Sequence, residues 1–467
     1  MAITSYSHSH PYAGKAPDKF SLGIKPTSAR ASNGNIYFIF LPVFPRSQCY
    51  SRDKENLKMG DTTPLSNNRG GHTHTDGING ARRIPRRLYS LNQPPSLEHF
   101  KQLCVQNTDA TLYPHAKSVI SNVPIYDITS LPTHAEIDEI QDEWHHILLS
   151  GPGVFVIRNF VRDAALLQRI NAAFTEIIDF ESRLSSKGDH FAASGNNARI
   201  WNSFQKHAEH HPPSFVRYYS NPWLRRVCES WLGPSYQVTA QVNLVRPGGK
   251  PQVSHRDYHL GFQTAESCSR YPKVTQVASQ YLTLQGAVAH SDMPLESGPT
   301  RFLPFSQQFD QGFMAYRLGE FIDYFDQNWV SVDLKMGDAV FFNPALFHAA
   351  GENRTTNVER SANLVQISSA FGRTMESIDT ATIIDKCWDD VQKLCEQGST
   401  TQDEIDSLLA AIGEGYPFPT NLDRRPPAPG GMAPESEVDI LHRALNQGWN
   451  KEEVSSAITT VRKDSMS

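Results

Sequence analysis

The stretch PQVSHRDYHLGF, residues 251–262, sets His255 and Asp257 two positions apart in what reads as a strand. In extended backbone, side chains at i and i+2 leave from one face, so this imidazole and this carboxylate point together while Arg256 turns away. Such a pair suits a hard or borderline divalent metal; it serves equally well as a hydrogen-bonded pair holding a turn. A third ligand decides between the two. In MGDAVFFNPALFHAAGENRTTNVERSANLVQIS, His348 ends an apolar run that follows a Gly-Asp turn, and Arg360 opens the next strand twelve residues on. Alone, a histidine after a strand is usually a packing residue. With His255 and Asp257 it completes two imidazoles and one carboxylate, the facial set that leaves positions on iron open. Arg360 offers a fixed fork of donors that stays charged when buried, which suits a dicarboxylate; a surface ion pair is its plainer reading. Arg354, in the polar loop, is the weaker candidate.

Other histidines compete. His74 and Asp76 lie in the glycine-rich GGHTHTDGING, which offers no rigid support, and His290 and Asp292 run from a strand into MPLESGP, a surface-loop pattern. HAEHHPP, 207–213, resembles a ligand cluster, but its two prolines break a helical frame, and a solvated loop is expected there.

These side chains need elements to hold them. The chain has 467 residues, 39% of them hydrophobic and 10% aromatic, enough for two or three units with real cores. A net charge of -5 lacks the basic excess of a nucleic-acid surface. The six cysteines, Cys49, Cys104, Cys228, Cys268, Cys387 and Cys395, form no C-x-x-C pair and read as free thiols in a reducing compartment. The apolar run IYFIFLPVF, 36–44, is too short to span a bilayer and is not followed by a cleavage site. No membrane span and a cytoplasmic location are the expectation. The ending DSMS is not a peroxisomal signal.

Residues 1–92 are rich in Ser, Asn, Gly and Pro without periodicity and read as a low-order extension; Met59 is a candidate alternative start. Residues 93–375 combine a helical lead-in with a run of strands. PPSLEHFKQLCVQ is a short helix; Thr133 and Glu136 form a capping box for THAEIDEIQDEWHHILLSG; GVFVIRNF alternates as a strand; VRDAALLQRINAAFTEIIDFESRL is apolar at helical spacing; another helix occupies about 221–231. Strand patterns follow at YQVTAQVNLVRPGG, SQYLTLQGAVAH, TRFLPF, DAVFFNPALFH and RSANLVQISSAF. Between them, 305–330 carries Phe309, Phe313, Tyr316, Phe321, Phe325 and Trp329 as a helical insert, a wall for substrate or simple packing. Residues 376–467 form a helical extension with the Pro-rich linker FPTNLDRRPPAPGGMAP, and capping pairs Thr401/Glu404 and Asn450/Glu453 start two of its helices. The fold class expected is mainly β with flanking helices, a double-stranded β-helix (jelly-roll, cupin-like) barrel buttressed by α-helices.

Residues from about 135 to 372 resemble the phytanoyl-CoA dioxygenase family of Fe(II)- and 2-oxoglutarate-dependent oxygenases. The pieces are GPGVFVIRNF, SHRDYH, SDMPLESGPTRFLPFSQ and GDAVFFNPALFHAAGENRTTNVERSAN. The resemblance implies Fe(II) on His255, Asp257 and His348, with 2-oxoglutarate chelated there and its far carboxylate on Arg360. It also brings Gln252 and Thr300 to positions that contact the cosubstrate. Dioxygen is the oxidant, ascorbate a candidate reductant, and the expected outcome is hydroxylation or desaturation of a small organic or lipid-like substrate with release of succinate and CO2. The family's Asn-Gly is Ser297-Gly298 here, and its Pro-Gly-Ser-His is Pro304-Phe305-Ser306-Gln307. Asp257 stands where halogenases of the superfamily have a small residue, which favours oxygen insertion or desaturation. A cupin-type dioxygenase without 2-oxoglutarate and a non-catalytic barrel scaffold are the alternatives. The oligomeric state is not legible.

Overall fold

The computed structural model describes residues 84–129, 133–184 and 197–466; the expectations for residues 1–83, including His74 and Asp76, lie outside them.

Among the described residues ten strands form in chain order: β1 (Ser118–Ile120), β2 (Val123–Asp127), β3 (Val154–Arg158), β4 (Asn197–Ile200), β5 (Tyr236–Val245), β6 (Thr283–Ala289), β7 (Arg301–Phe302), β8 (Ala339–Phe342), β9 (His348–Ala349) and β10 (Arg360–Ser369). Eight of them make one mixed sheet in the order β1-β2-β3-β8-β6-β10-β5-β4, and β7 pairs with β9 in a second, short sheet. The pairs are antiparallel except β2 with β3. Isolated bridges extend the short sheet at His255–His348, Phe302–Val330 and Met293–Leu334. The expected jelly-roll architecture with flanking helices is present, with the large sheet facing the short one; among the described residues the large sheet ends at β1 and β4 and does not close into a barrel. TRFLPF contributes only two paired residues, and SHRDYH contributes a single bridge, at His255.

Alternation assigns the two faces of the large sheet. Val123, Val154, Val156, Ala287, Val340 and Phe342 face inward and pack with Met293, Phe302 and Leu334 of the shorter layer. Phe155, Ile157, Val238, Ala240, Leu284 and Phe341 face outward into the larger core, which is filled by helices. The helix His134–Leu149 starts at the expected capping box and brings Trp144 flat onto Phe155, with ring centroids 5.3 Å apart. The helices Thr380–Glu396, Gln402–Ile412, Glu437–Gln447 and Lys451–Ser465 close over the same core through Trp388, Leu409, Leu441 and Val454.

HAEHHPP is not a solvated loop. It ends the helix Ser203–His210 and begins Pro212–Tyr219, with both prolines in the first turn, where the missing N–H costs nothing. His207 is fully buried, its Nε2 2.8 Å from Ser214 Oγ. The 305–330 insert is helical, at Gly312–Ala315 and Gly319–Asn328, and its aromatic rings pack around Phe100 and Phe347. No helix of the described residues is long and apolar enough to cross a membrane.

Candidate metal centre

His255 and His348 face each other across one antiparallel bridge: each backbone N–H donates to the other's carbonyl, at 3.0 and 3.1 Å. That pairing sets the imidazole centroids 4.4 Å apart. Asp257 is anchored by its own N–H on the Pro344 carbonyl at 2.9 Å. His255 Nε2 then lies 3.6 Å from Asp257 Oδ1, and His348 Nε2 lies 3.5 Å from Asp257 Oδ2. The three ligand atoms fall within 4.8 Å of one another. The chain leaves the site abruptly, since Tyr258 and His259 both take positive φ, 65° and 37°, a conformation costing on the order of 1–3 kcal/mol per residue.

The histidine tautomers are fixed by chemistry. His255 Nδ1 is 2.9 Å from the Val253 carbonyl and His348 Nδ1 is 2.8 Å from the Leu346 carbonyl. A carbonyl only accepts, so each Nδ1 carries a proton and each Nε2 is the ring nitrogen turned toward Asp257. Burial lowers the His255 pKa and so favours the neutral ring, although Asp257 pulls the other way. For Asp257, burial would raise the pKa, but His255, His348 and the Gln285 amide outweigh it and hold the carboxyl well below its usual range. Two imidazoles and one carboxylate form a compact donor set that fits a divalent cation.

Gln285 is a positioning residue that its strand pattern did not reveal. Its Nε2 donates to Asp257 Oδ2 at 2.6 Å and to Gln366 Oε1 at 3.0 Å. Both glutamines face inward on neighbouring strands, paired in register. The available signal was a glutamine within otherwise apolar LTLQGAVA, where alternation calls for an apolar residue.

Arg360 is 6% exposed and donates through Nε to the Ser297 carbonyl at 2.8 Å and through Nη2 to the Gly351 carbonyl at 3.2 Å. The approach depends on Gly298: its φ is 74°, and a Cβ there would stand 2.3 Å from the Glu352 oxygen. Among the described residues no carboxylate lies within ion-pairing distance of Arg360, and burial alone lowers its pKa to about 10. The guanidinium lines a mostly apolar cavity, shared with Thr300, Asn243, Val156, Phe302 and Val340. Thr300 thus shares a cavity with Arg360, whereas Gln252 does not line it; the Gln252 side chain accepts from the Ala350 N–H at 3.2 Å.

The rival motif separates. His290 is buried between Asn171 Oδ1 at 2.7 Å and Tyr218 Oη at 2.9 Å, while Asp292 accepts from the Met336 N–H on the surface. Arg354 is exposed in its loop.

The phytanoyl-CoA dioxygenase (PhyH) family matches residues 149–362, which include all three converging side chains and Arg360. Among curated proteins the chain is similar to "Dioxygenase andF" of Emericella variicolor, 25% identical over 30% of this chain and 45% of that protein. It is also similar to "Dioxygenase trt7" of Aspergillus terreus, 32% identical over 31% of this chain and 43% of that protein. The chain spans less than half the length of these relatives. Among solved structures, the nonheme alpha ketoglutarate dependent carbocyclase SnoK from nogalamycin biosynthesis is 18% identical, with a TM-score of 0.36, over 51% of this chain and 85% of that one.

Proposed function

We propose that this phytanoyl-CoA dioxygenase family domain, residues 149–362, is an Fe(II)- and 2-oxoglutarate-dependent dioxygenase that hydroxylates or desaturates a small organic substrate. The observation that carries the reading is the convergence of His255, Asp257 and His348 with both Nε2 atoms turned toward the carboxylate, together with a buried arginine that lacks a carboxylate partner among the described residues.

His255, Asp257 and His348 would hold the iron. Arg360, with Thr300 beside it, would take the far carboxylate of 2-oxoglutarate, because a buried cation gains most from a partner that neutralises it. Iron with 2-oxoglutarate and dioxygen supplies oxidation of a C–H bond, with succinate and CO2 as the other products. The chain's own part is orientation and water exclusion. The carbonyls of Val253 and Leu346 keep the rings turned, Gln285 fixes the carboxylate, and Phe342, 4.8 Å from the His348 ring, keeps that side dry. A cupin-type reading leaves Arg360 without a purpose.

The test is succinate release from 2-oxoglutarate by the full-length protein with Fe(II) and ascorbate, alongside mass spectrometry of products from a cell extract. Wild type should form succinate and convert a component to one heavier by an oxygen atom or lighter by two hydrogens. Asp257→Ala should form none, while Asp292→Ala should match wild type; equal loss in both would mean the wrong pair was chosen.

A further inference from the structure

The three converging side chains are not equally open. His255 and Asp257 are 26% and 20% exposed, His348 only 6%, so a molecule reaching the centre comes in on the side of residues 255–257. What it meets there is set by the short turn His259–Phe262, which begins two residues after Asp257.

That turn is pinned from several directions. The Gly261 N–H donates to the Tyr258 carbonyl at 2.7 Å, and His259 Nε2 donates to the Arg373 carbonyl at 3.1 Å. The Gly261 carbonyl accepts from Tyr316 Oη at 2.5 Å and from Arg317 Nη2 at 3.2 Å. A residue four places along the chain from Asp257 is at most about 14 Å away, and the turn shortens that. The Arg317 guanidinium is thus held beside the metal segment, and its charge opposes protonation of His255.

Arg317 is exposed, its guanidinium 4.8 Å from the Tyr316 ring centroid. The Gly261 carbonyl occupies one of its five N–H groups. Among the described residues no carboxylate comes within ion-pairing distance of it. Phe262 ends the turn, and Val253 gives the carbonyl that orients His255; both side chains are more than half exposed. A lone exposed apolar side chain is ordinary. Two of them beside an unpaired cation, on the open side of a metal centre, make a surface complementary to an amphipathic anion. Arg360 does not serve that purpose, because it is buried in its own cavity.

We infer that the substrate of this centre is an organic anion: an apolar body that covers Phe262 and Val253 and carries a carboxylate taken by Arg317. That the bound molecule is the substrate rests on the oxygenase reading; the binding surface does not.

Two probes test this, 2-naphthoate and 2-naphthamide, which share a ring system and differ in charge. Their affinities for the full-length, metal-free protein are read by ligand-observed NMR, so that no metal bond to the carboxylate enters. Wild type should prefer the naphthoate by about threefold to tenfold, the range between an exposed ion pair and a hydrogen bond to a charged group. Arg317→Met should abolish the preference and leave naphthamide binding unchanged, whereas Arg360→Ala should keep it. Phe262→Ala should weaken both probes alike. Equal binding of the two probes by wild type, no binding of either, undiminished binding by Phe262→Ala, or a preference that survives Arg317→Met or vanishes in Arg360→Ala would overturn the assignment. Neither probe needs iron or 2-oxoglutarate, so a failure to form succinate would sink the oxygenase reading and leave this result standing.

Discussion

Each atom of the candidate centre is held by a neighbour with one chemical option. A carbonyl behind each Nδ1 accepts only, so both rings turn their Nε2 toward Asp257. The Gln285 amide does for Asp257 what those carbonyls do for the histidines. Outer partners of this kind are commonly worth 10- to 100-fold in metal affinity. Gln285→Leu should therefore weaken Mn(II) binding by roughly 10- to 100-fold, measured by competition with a fluorescent chelator, with little change in thermal midpoint; unchanged affinity would remove Gln285 from the site. Arg360→Ala should raise the KM for 2-oxoglutarate by about 30-fold or more, as loss of one partner of a buried charge pair does, with metal affinity near wild type. The three converging side chains were legible in sequence because two lie at strand spacing and the third ends an apolar run. Gln285 and Gln366 were not, because nothing in a sequence says which buried glutamine faces a carboxylate.

At the scale of elements, Arg256 ties the site together. It sits between two of the converging residues, fully buried, and its Nη2 donates to the carbonyls of Ser306, Phe309 and Gln307 at 2.7, 3.1 and 3.3 Å. Its guanidinium also lies over the rings of Phe313 and Phe347, 5.2 and 5.3 Å from their centroids. The helical insert is thereby fastened to the segment carrying His255 and Asp257. Gly312 leaves the room: a Cβ there would stand 1.8 Å from Arg256 Cζ, and a guanidinium pinned on several sides cannot step aside. Gly312→Ala should cost about 1–3 kcal/mol, as overpacking does, lowering the thermal midpoint and the metal affinity together. Gly319→Ala, where a Cβ meets nothing within 4 Å, should leave both unchanged or gain slightly in stability. Similar behaviour of the two variants in a melting experiment would contradict this packing account. Most helices and strands were readable from periodicity and capping pairs. HAEHHPP was misread because proline breaks a helix in its interior yet favours its first turn, and only the structure shows which position it occupies.

Across the whole molecule, a helical layer and an inner cavity share one large sheet, and the helical layer buries two histidines in neutral form. Burial lowers His207 and His290 from 6.5 to about 3. Unfolded, both take up a proton near pH 6.5, so their contribution is complete above that pH and is lost as pH falls toward 3. Between pH 6.5 and 5 the loss should reach up to about 2 kcal/mol for each. Urea midpoints at pH 7.5 and pH 5 would measure it; a flat profile would mean that these rings are not held neutral. Alternation told which residues face a sheet's two sides, but not that the sheet stays open at β1 and β4, since closure depends on strand order. Nor did it show that helices after residue 376 complete the core on the outward side of the large sheet, because an apolar stripe does not name its partner.

The most direct measurement is the metal content of the full-length protein, reconstituted anaerobically with Fe(II), desalted, and assayed by elemental mass spectrometry. Wild type and Asp292→Ala should retain about one iron per chain, as a single facial site requires, while Asp257→Ala and His348→Ala should retain little. Equal iron in all four proteins, or none in wild type, would contradict a metal centre built on His255, Asp257 and His348.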